Sequence, residues 1–262
     1  MTEKFDLVVI GSGPAGEKGA TQAAYFGYRV AIVERSRAPG GSPVSTAGIP
    51  TKTLRETALY VTGFQQRDVY GLSLQLDHQA TLDRLMSRTA EVISTSQERV
   101  GRNIERHGIA LFHGTATLGA DHTVVVRGEE GETVLEARVI LIATGSRPFR
   151  PPGIPFDDPD VHDSEDIIRI DRIPKTMVVV GGGPVGCEFA SIFTALGVEV
   201  TLLDAADRLL PFMDKEISGL LAHALRGMGA RMLLGSGVGT IERTDGELQV
   251  SMANGEVIRP EK

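Results

Sequence analysis

Three observations predict an α/β fold in which one β-α-β unit occurs twice. The segments 6–34 (DLVVIGSGPAGEKGATQAAYFGYRVAIVE) and 176–204 (TMVVVGGGPVGCEFASIFTALGVEVTLLD) align without a gap. Each begins with a short run rich in β-branched residues, typical of a strand buried on both faces. Each continues with G-x-G-x-x-G, a helical pattern and a second apolar run that ends in an acid, Glu34 or Asp204.

The glycines of each copy indicate what the unit binds. The first glycine allows a tight turn, the second lets the backbone approach a pyrophosphate, and the third lets the helix pack closely on the strand. The helix that follows directs its N-terminal amides at the phosphates, and the terminal acid accepts hydrogen bonds from ribose hydroxyls. The turn residues are Gly11, Gly13, Pro14, Ala15 and Gly16 in the first copy, and Gly181, Gly183, Pro184, Val185 and Gly186 in the second. We therefore predict two Rossmann-like dinucleotide-binding domains, a pattern typical of proteins that move electrons between two dinucleotides.

Composition excludes several classes of function. The chain has 262 residues, enough for one or two domains, and a net charge of −7 that argues against nucleic-acid or anionic-membrane partners. No apolar run approaches the ~20 residues that span a bilayer, and the first strand begins too early to leave room for a signal peptide, so we expect a cytoplasmic location. The single cysteine, Cys187, allows neither an intramolecular disulfide nor a multi-cysteine zinc site, and we expect no metal.

The elements between the two copies are predicted in order along the chain. They are a Gly-, Pro- and Ser-rich loop at 35–52, a helix at Thr53–Gln66, a long polar helix at Leu82–His107 that Gly108 ends, strands at Ala110–His113, Thr115–Leu118, Thr123–Arg127 and Thr133–Ala137, and a buried strand at Val139–Ile142.

The domain organisation follows from these elements. We predict a first domain at 1–150, a proline-rich linker at 151–172 and a second domain at 173–262. In the first domain a polar strand pair at 123–137 leads into a buried strand, whereas the equivalent pair at 246–262 leads into none. The second domain is therefore expected to be incomplete.

Several motifs together resemble the pyridine nucleotide–disulfide oxidoreductase superfamily, and most of all its soluble (Si-specific) pyridine nucleotide transhydrogenases. They are the first glycine turn with Glu34, the segment Gly40–Lys52 (GGSPVSTAGIPTK), the turn Ala143-Thr144-Gly145, and GGGPVGCEFASIF in the second copy. The resemblance implies three-layer ββα domains that bind FAD first and NAD(P) second, and homodimers formed by full-length relatives through a C-terminal domain that is absent here.

The segment Gly40–Lys52 departs from the disulfide-type pattern. Pro43 and Gly48 occupy the positions of the two redox cysteines. Thiol–disulfide exchange needs an attacking thiolate, which neither residue supplies. Hydride transfer between nicotinamide and flavin needs no protein nucleophile and is the chemistry that we expect to remain.

The resemblance implies a role for each residue that matches a family motif. Lys52 and Glu188 would be the catalytic pair beside flavin and nicotinamide. The FAD set is Gly11, Gly13, Pro14, Ala15, Gly16, Glu34, Arg35, Gly41, Thr51, Lys52, Gly114, Thr115, Ala116, Ala143, Thr144 and Gly145. The NAD(P) set is Gly181, Gly183, Pro184, Val185, Gly186, Glu188 and Asp204.

Three functions fit this sequence. The first is flavin-mediated hydride transfer between NADPH and NAD; Asp204 favours NAD, while Arg208 could contact a 2′-phosphate. The second is an NAD(P)H diaphorase or quinone reductase, which the loss of both cysteines fits equally well. The third is a non-catalytic dinucleotide-binding remnant that binds FAD weakly or not at all.

Overall fold

The structure, a computed structural model, describes residues 2–65, 77–129 and 131–262. The chain divides into two compact units, the first formed by Met1–Thr51 and Arg88–Arg147 and the second by Lys52–Ser87 and Pro148–Lys262. Each unit contains one copy of the β-α-β repeat. The domain boundaries drawn at 150 and 173 from the sequence stay a prediction.

The first unit is built on a mixed six-stranded sheet. Its strands are β1 (Thr2–Ile10), β2 (Val30–Glu34), β3 (Ala110–His113), β4 (Thr115–Leu118), β5 (Thr123–Gly128) and β6 (Gly131–Ile142). The order is β3-β2-β1-β6-β5-β4, with β3, β2, β1 and β6 parallel and the pairs β6·β5 and β5·β4 antiparallel. The parallel strands have the near-continuous apolar sequences expected of strands covered on both faces.

Two cores cover the faces of this parallel sheet. On one face Val9 and Ile32 pack against Ala20 of helix α1 (Pro14–Tyr25) and Ile104 of helix α4 (His78–Arg106). On the other face a second core joins β1 and β2 to the antiparallel strands, with Val8, Val33, Val124, Val126 and Leu135 as members. The unit is thus helices, parallel sheet and antiparallel strands in three layers, which confirms the predicted α/β class with a Rossmann-like arrangement.

The second unit repeats this plan. Its elements are strands β7 (Thr176–Val180), β8 (Glu199–Asp204) and β9 (Arg231–Leu234) in a parallel sheet, strands β10 (Val238–Thr244), β11 (Glu247–Met252) and β12 (Val257–Ile258) in an antiparallel sheet, and helices α5 (Pro184–Ala195) and α6 (Lys215–Met228). Phe189, Phe193 and Leu202 centre the core on the helical side, and Leu203 packs against Val250 on the other.

Helices α2 (Gly41–Ser45) and α3 (Gly48–Gln65) occupy the region predicted as a loop followed by a helix. The sequence placed this helix at Thr53–Gln66, so its start was wrong, and Gln66 lies outside the described residues. Pro50 is tolerated because it falls in the first helical turn, where its missing N–H costs no intrahelical bond.

The end of the long helix α4 matches its predicted stop signal. Gly108 has a φ of 64°. The amides of Gly108 and Ile109 donate to the carbonyls of Glu105 and Ile104 at 2.9 and 3.2 Å, the pattern of a glycine-terminated helix. The prediction that Gly108 ends this helix is confirmed.

The prediction of a separate, buried strand at Val139–Ile142 was wrong. The structure joins it to the preceding segment as one strand, β6, and leaves Val139 52% and Ile142 61% exposed. The pairing of β5 with β6 extends only to Glu136. Among the described residues, the last part of β6 therefore has β1 on one side and an open edge on the other.

Ion pairs anchor the segment that precedes β7. Asp160 accepts hydrogen bonds from Arg172 (2.6 Å), Arg243 (2.7 Å) and Lys262 (2.9 Å), and the Lys262 side chain is only 1% exposed. Burial raises the pKa of Asp160, but these three cations outweigh it and lower that pKa to about 2 from 3.8.

The low pKa of Asp160 predicts a pH-dependent contribution to stability. A carboxylate whose pKa is lower in the folded state stabilises the fold above pH 3.8 and loses that effect as the pH falls towards 2. We expect Asp160→Asn to lower the free energy of unfolding by about 2 kcal/mol at pH 7. In urea unfolding, the difference in free energy of unfolding between wild type and Asp160→Asn should shrink below pH 3.8. A difference that does not depend on pH would contradict this role of the Asp160 carboxylate.

Candidate functional site

Three backbone segments meet at the first glycine turn. Gly11 has a φ of 102°, and a Cβ added there would collide with the carbonyl oxygen of Ala143. A Cβ on Gly41 would lie 2.8 Å from the Cα of Gly13. A Cβ on Gly16 would collide with the carbonyl oxygen of Gly11. The turn, the start of α2 and the segment after β6 therefore approach one another through backbone alone.

The acid that ends β2 is fixed by hydrogen bonds. Glu34 is buried and accepts from the Ser12 amide (2.9 Å), the Ser12 hydroxyl (2.5 Å) and the Ser36 amide (2.8 Å). Burial raises the pKa of Glu34, but the hydrogen bonds from Ser12 and Ser36 outweigh burial and the pKa lies below its usual 4.5. The Glu34 carbonyl also accepts from the Gly114 amide at 2.9 Å, which places the loop after β3 beside this acid.

This geometry fits the pyrophosphate end of a dinucleotide. Gly13 leaves open space, since a Cβ added there would meet only the Gly41 Cα within 4 Å, at 3.9 Å. An anion can therefore approach the first turn of α1, whose N-terminal amides favour negative charge. Of the remaining residues predicted for FAD, Thr51 is buried in α3 and donates its hydroxyl hydrogen bond to the Gly48 carbonyl at 3.2 Å. Pro14, Ala15, Arg35, Thr115, Ala116, Thr144 and Gly145 adjoin these segments along the chain.

The second glycine turn has the same geometry. Gly181 has a φ of 111°, and a Cβ on Gly186 would collide with the Gly181 carbonyl oxygen. Asp204 at the end of β8 accepts from the amides of Gly182 and Ala206, the latter at 2.7 Å. A Cβ on Gly183 would have no atom within 4 Å, so this turn also leaves room for a ligand.

A cavity of about 540 Å³ lies beside this second turn within the same unit. Its walls include Gly183, Val185 and the apolar side chains of Val178, Val180 and Phe189. The open space at the turn is thus continuous with an apolar hollow, the kind of environment in which small-molecule ligands bind.

Lys52 and Glu188 are brought together by the second unit. The Lys52 Nζ and the Glu188 Oε1 lie 2.7 Å apart, although the residues come from α3 and α5. The Lys52 side chain is 65% exposed and that of Glu188 is 22% exposed. This contact is the pairing that the resemblance implies, and it leaves the cation accessible to a ligand.

The two positions that carry cysteines in disulfide-type relatives adjoin each other here. A Cβ on Gly48 would lie 3.5 Å from the Cα of Pro43. The chain's one cysteine, Cys187, is buried in α5, and burial, together with the charge of Asp204, raises its pKa. A buried thiol with a raised pKa is a poor nucleophile, so the described geometry supplies no thiolate for redox chemistry.

Sequence reasoning missed the residues that fix the two acids. Ser12 and Ser36 bind Glu34, and Gly182 and Ala206 bind Asp204 at the equivalent positions of the repeat. The signal was present, because each partner has the same spacing from its acid in both copies. Backbone amides carry no residue-type signature, and the pattern alone did not identify them.

Across residues 2–65, 77–129 and 131–262, no group of three His, Cys, Asp or Glu side chains is placed to hold a metal ion. In the same part of the chain, no helix is both long and apolar enough to cross a membrane.

Known proteins resemble this chain over almost its whole length. Residues 5–261 match the family model described as pyridine nucleotide-disulphide oxidoreductase. The chain is 39% identical over 260 residues to a soluble pyridine nucleotide transhydrogenase of Mycobacterium tuberculosis, covering 98% of this chain and 56% of the relative. It is 37% identical to the protein of that name from Chromohalobacter salexigens, covering 97% and 55%.

Solved structures show the same similarity. The HOCl-induced flavoprotein disulfide reductase RclA from Escherichia coli, as its Cu(II) complex, superposes with a TM-score of 0.85 at 29% identity, covering 99% of this chain and 55% of that one. LpdA from Mycobacterium tuberculosis shares the fold, with a TM-score of 0.85 at 22% identity, covering 99% of this chain and 57% of that one. The chain thus spans just over half the length of these relatives. It belongs to the pyridine nucleotide-disulphide oxidoreductase family, whose members use FAD and NAD(P).

Proposed function

We propose that this chain carries the nucleotide-binding machinery for flavin-mediated hydride transfer between NADPH and NAD, without a redox-active disulfide. The observation that carries the proposal is the repeated site: two open glycine turns, each beside an acid fixed by backbone amides. Pro43 and Gly48 support the absence of a disulfide step. The relatives named as transhydrogenases support the choice of substrates.

The first unit is proposed to hold FAD, which supplies the hydride-transfer chemistry when bound. Gly11, Gly13 and Gly16 would let the backbone approach the pyrophosphate, and Glu34 would accept from the adenosine ribose. The remaining binding residues would be Pro14, Ala15, Arg35, Gly41, Thr51, Gly114, Thr115, Ala116, Ala143, Thr144 and Gly145.

The second unit is proposed to hold the nicotinamide dinucleotide. The turn Gly181–Gly186 would bind its pyrophosphate at the start of α5, where helix amides favour an anion. Asp204 would accept hydrogen bonds from the adenosine ribose. Because Asp204 keeps a fixed carboxylate at that position, NAD fits the site without a compensating cation.

Lys52 and Glu188 are proposed as the catalytic pair. A cation held at Lys52 Nζ stabilises negative charge that develops on a reacting group beside it. Glu188 holds the lysine in place through the 2.7 Å contact. Both residues are proposed to lie within reach of the reacting rings.

The catalytic assignment predicts a loss of rate without a loss of stability. We expect Lys52→Met to slow NADH-dependent bleaching of bound flavin by about 100-fold, because it removes a stabilising charge. The free energy of unfolding should change by less than about 1 kcal/mol, since the Lys52 side chain is 65% exposed. Stopped-flow absorbance and urea unfolding measure the two effects.

Lys4→Met is the matched control for this experiment. Lys4 forms an ion pair with Glu136 at 3.0 Å in the first unit, where the two side chains are 75% and 44% exposed. Its loss should leave the bleaching rate unchanged. Equal rates in wild type and Lys52→Met would remove Lys52 from the mechanism.

A quinone reductase is the second candidate. Its flavin chemistry needs no protein thiol, so Pro43 and Gly48 favour it as much as the first. Steady-state rates separate the two: faster reduction of a quinone than of a nicotinamide analogue would favour the reductase.

We also propose a cytoplasmic location, because a sequence with one buried free cysteine is typical of reducing compartments.

A further inference from the structure

The two copies of the repeat attach the loop after their second strand in different ways. Gly40 and Leu210 lie at the same spacing from the acids of their own copies, and both have a positive φ, 124° and 46°. The Gly40 amide donates to the side-chain hydroxyl of Ser12 at 3.1 Å. The Leu210 amide donates at 3.0 Å to the backbone carbonyl of Gly182, the residue equivalent to Ser12. The same amide is therefore anchored on a side chain in the first copy and on the backbone in the second.

The Ser12 hydroxyl links this loop to the acid of the first unit. Ser12 is fully buried, and its Oγ donates to the Glu34 Oε2 at 2.5 Å while it accepts from the Gly40 amide. A hydroxyl has one hydrogen, so the bond to Glu34 fixes its direction and leaves its lone pairs for Gly40. The Gly182 carbonyl can only accept, so it holds its own loop without bonding to Asp204.

The second turn has no room for the link that Ser12 makes. A Cβ added to Gly182 would lie 2.9 Å from the Leu209 Cδ2 and 3.1 Å from the Asp204 Oδ2. A serine there would press against the loop and the acid instead of bridging them. The packing around the second turn therefore maintains the difference between the two copies.

The loop that Ser12 holds lies against the first glycine turn. Gly41 follows Gly40, and a Cβ on Gly41 would lie 2.8 Å from the Gly13 Cα. A ligand at this turn would thus meet the turn, the loop and the acid, which one buried hydroxyl keeps in a fixed relation. Groups that are already held in the binding geometry lose less freedom when a ligand binds, and such gains appear mainly as slower dissociation.

We propose that Ser12 is a positioning residue that makes the first site retain its dinucleotide, while Gly182 leaves the second site free to exchange its own. The inference rests on the proposed function, in which the first unit holds FAD and the second a nicotinamide dinucleotide. A flavin that passes hydride between two nicotinamides has to stay bound while both come and go. Ser12 acts through Glu34 and the Gly40 loop and takes no part in the chemical step.

The test measures how fast FAD leaves the loaded chain. FAD release after dilution is followed by flavin fluorescence in wild type, in Ser12→Ala and in Ser12→Gly, which gives the first turn the residue of the second. We expect both variants to release FAD about 10- to 100-fold faster, because the Gly40 amide loses its acceptor and Glu34 loses a donor. Dissociation of NADH from the FAD-free chain, followed by nicotinamide fluorescence, should change by less than about 2-fold, since the second turn is untouched.

Thr21→Ala is the matched control. The Thr21 hydroxyl is also in the first unit, belongs to a buried residue of α1 and donates to the Lys18 carbonyl at 3.2 Å. Its removal takes away a hydroxyl without touching the acid or the Gly40 loop. The FAD release rate should therefore stay within about 2-fold of the wild-type rate.

The pH dependence of FAD binding distinguishes positioning from a general loss of stability. Burial raises the pKa of Glu34, and the Ser12 hydroxyl is foremost among the hydrogen bonds that lower it. In Ser12→Ala the Glu34 pKa should rise, so FAD affinity should begin to fall at a higher pH than in wild type. Arg35 follows Glu34, and His113 lies beside it in the β2–β3 register. Both are the same in the two proteins, so the difference between their pH profiles reports Glu34.

The outcomes separate this inference from the function on which it rests. Unchanged FAD release in both Ser12 variants, or a pH profile that does not move, would overturn the role of Ser12 and leave the first site standing. If the Ser12 variants do not fold, the wild type decides: FAD release at least about 10-fold slower than NADH release supports the inference, and equal rates overturn it. Failure of the wild-type chain to bind FAD would overturn the proposed first site, and the role of Ser12 with it.

Discussion

Gly13→Ala is expected to fold like the wild type and to lose its affinity for FAD. Gly13 has φ −62° and ψ 176°, which alanine adopts freely, and an added Cβ would have only the Gly41 Cα within 4 Å. The cost is that of alanine at a helix N-cap, about 1 kcal/mol or less. A pyrophosphate that approaches the backbone would meet the new methyl group, so we expect the FAD affinity to fall by at least about 100-fold.

Two further glycine substitutions serve as controls for the Gly13→Ala result. Gly183→Ala makes the same change in the second turn, where a Cβ has no neighbour within 4 Å, and should weaken NADH binding while sparing FAD. Gly16→Ala places a Cβ against the Gly11 carbonyl oxygen and should unfold the first unit. Flavin fluorescence titration and thermal unfolding report the two effects. FAD binding that survives in Gly13→Ala, or that disappears in Gly183→Ala, would contradict the assignment of the two turns.

Among the site's hydrogen-bonding side chains, Glu34 is expected to contribute most to stability, as Glu34→Ala would show. The substitution removes a buried carboxylate and leaves the Ser12 amide, the Ser12 hydroxyl and the Ser36 amide without their acceptor. Unpaired buried donors cost about 1 to 3 kcal/mol each, and partial relaxation reduces the sum. We expect a loss of about 3 kcal/mol in the free energy of unfolding, together with loss of FAD binding.

The equivalent variant in the second unit is Asp204→Ala. Asp204 is less buried than Glu34 and accepts from two amides rather than three donors, so its loss should cost about 1 to 2 kcal/mol.

The pH dependence of the stability that Glu34 contributes gives a second check. Since the pKa of Glu34 is below 4.5 in the fold, its contribution is complete above pH 4.5 and lost as the pH falls below it. The difference in free energy of unfolding between wild type and Glu34→Ala should therefore narrow in acid. Equal losses of unfolding free energy in Glu34→Ala and Asp204→Ala at pH 7 would contradict the account.

The strands and turns of this chain could be predicted wherever local chemistry decides them. β3 and β4 match their predicted bounds, because Gly114 and Gly119 directly follow the two strands and mark their ends. The repeat predicted β1-α1-β2 and β7-α5-β8, since the glycine turn is specified by steric contacts within a few residues of it.

What could not be predicted depends on contacts between distant segments. The exposure of Val139 and Ile142 depends on which strand lies beside β6, and their own sequence is that of a buried strand. The partners of Glu34 include backbone amides, which no residue type reveals. The pairing of Lys52 with Glu188 came from the resemblance, because residues 136 positions apart carry no local signal of contact.

The most direct test of the central claim is a titration of the wild-type chain with FAD, followed by NADH under anaerobic conditions. The claim is that the two glycine turns are sites for two different dinucleotides. It predicts that flavin binding saturates at one FAD per chain, and that NADH then bleaches the bound flavin without displacing it. Saturation at two FAD per chain, displacement of FAD by NADH, or no saturable binding of FAD would contradict it.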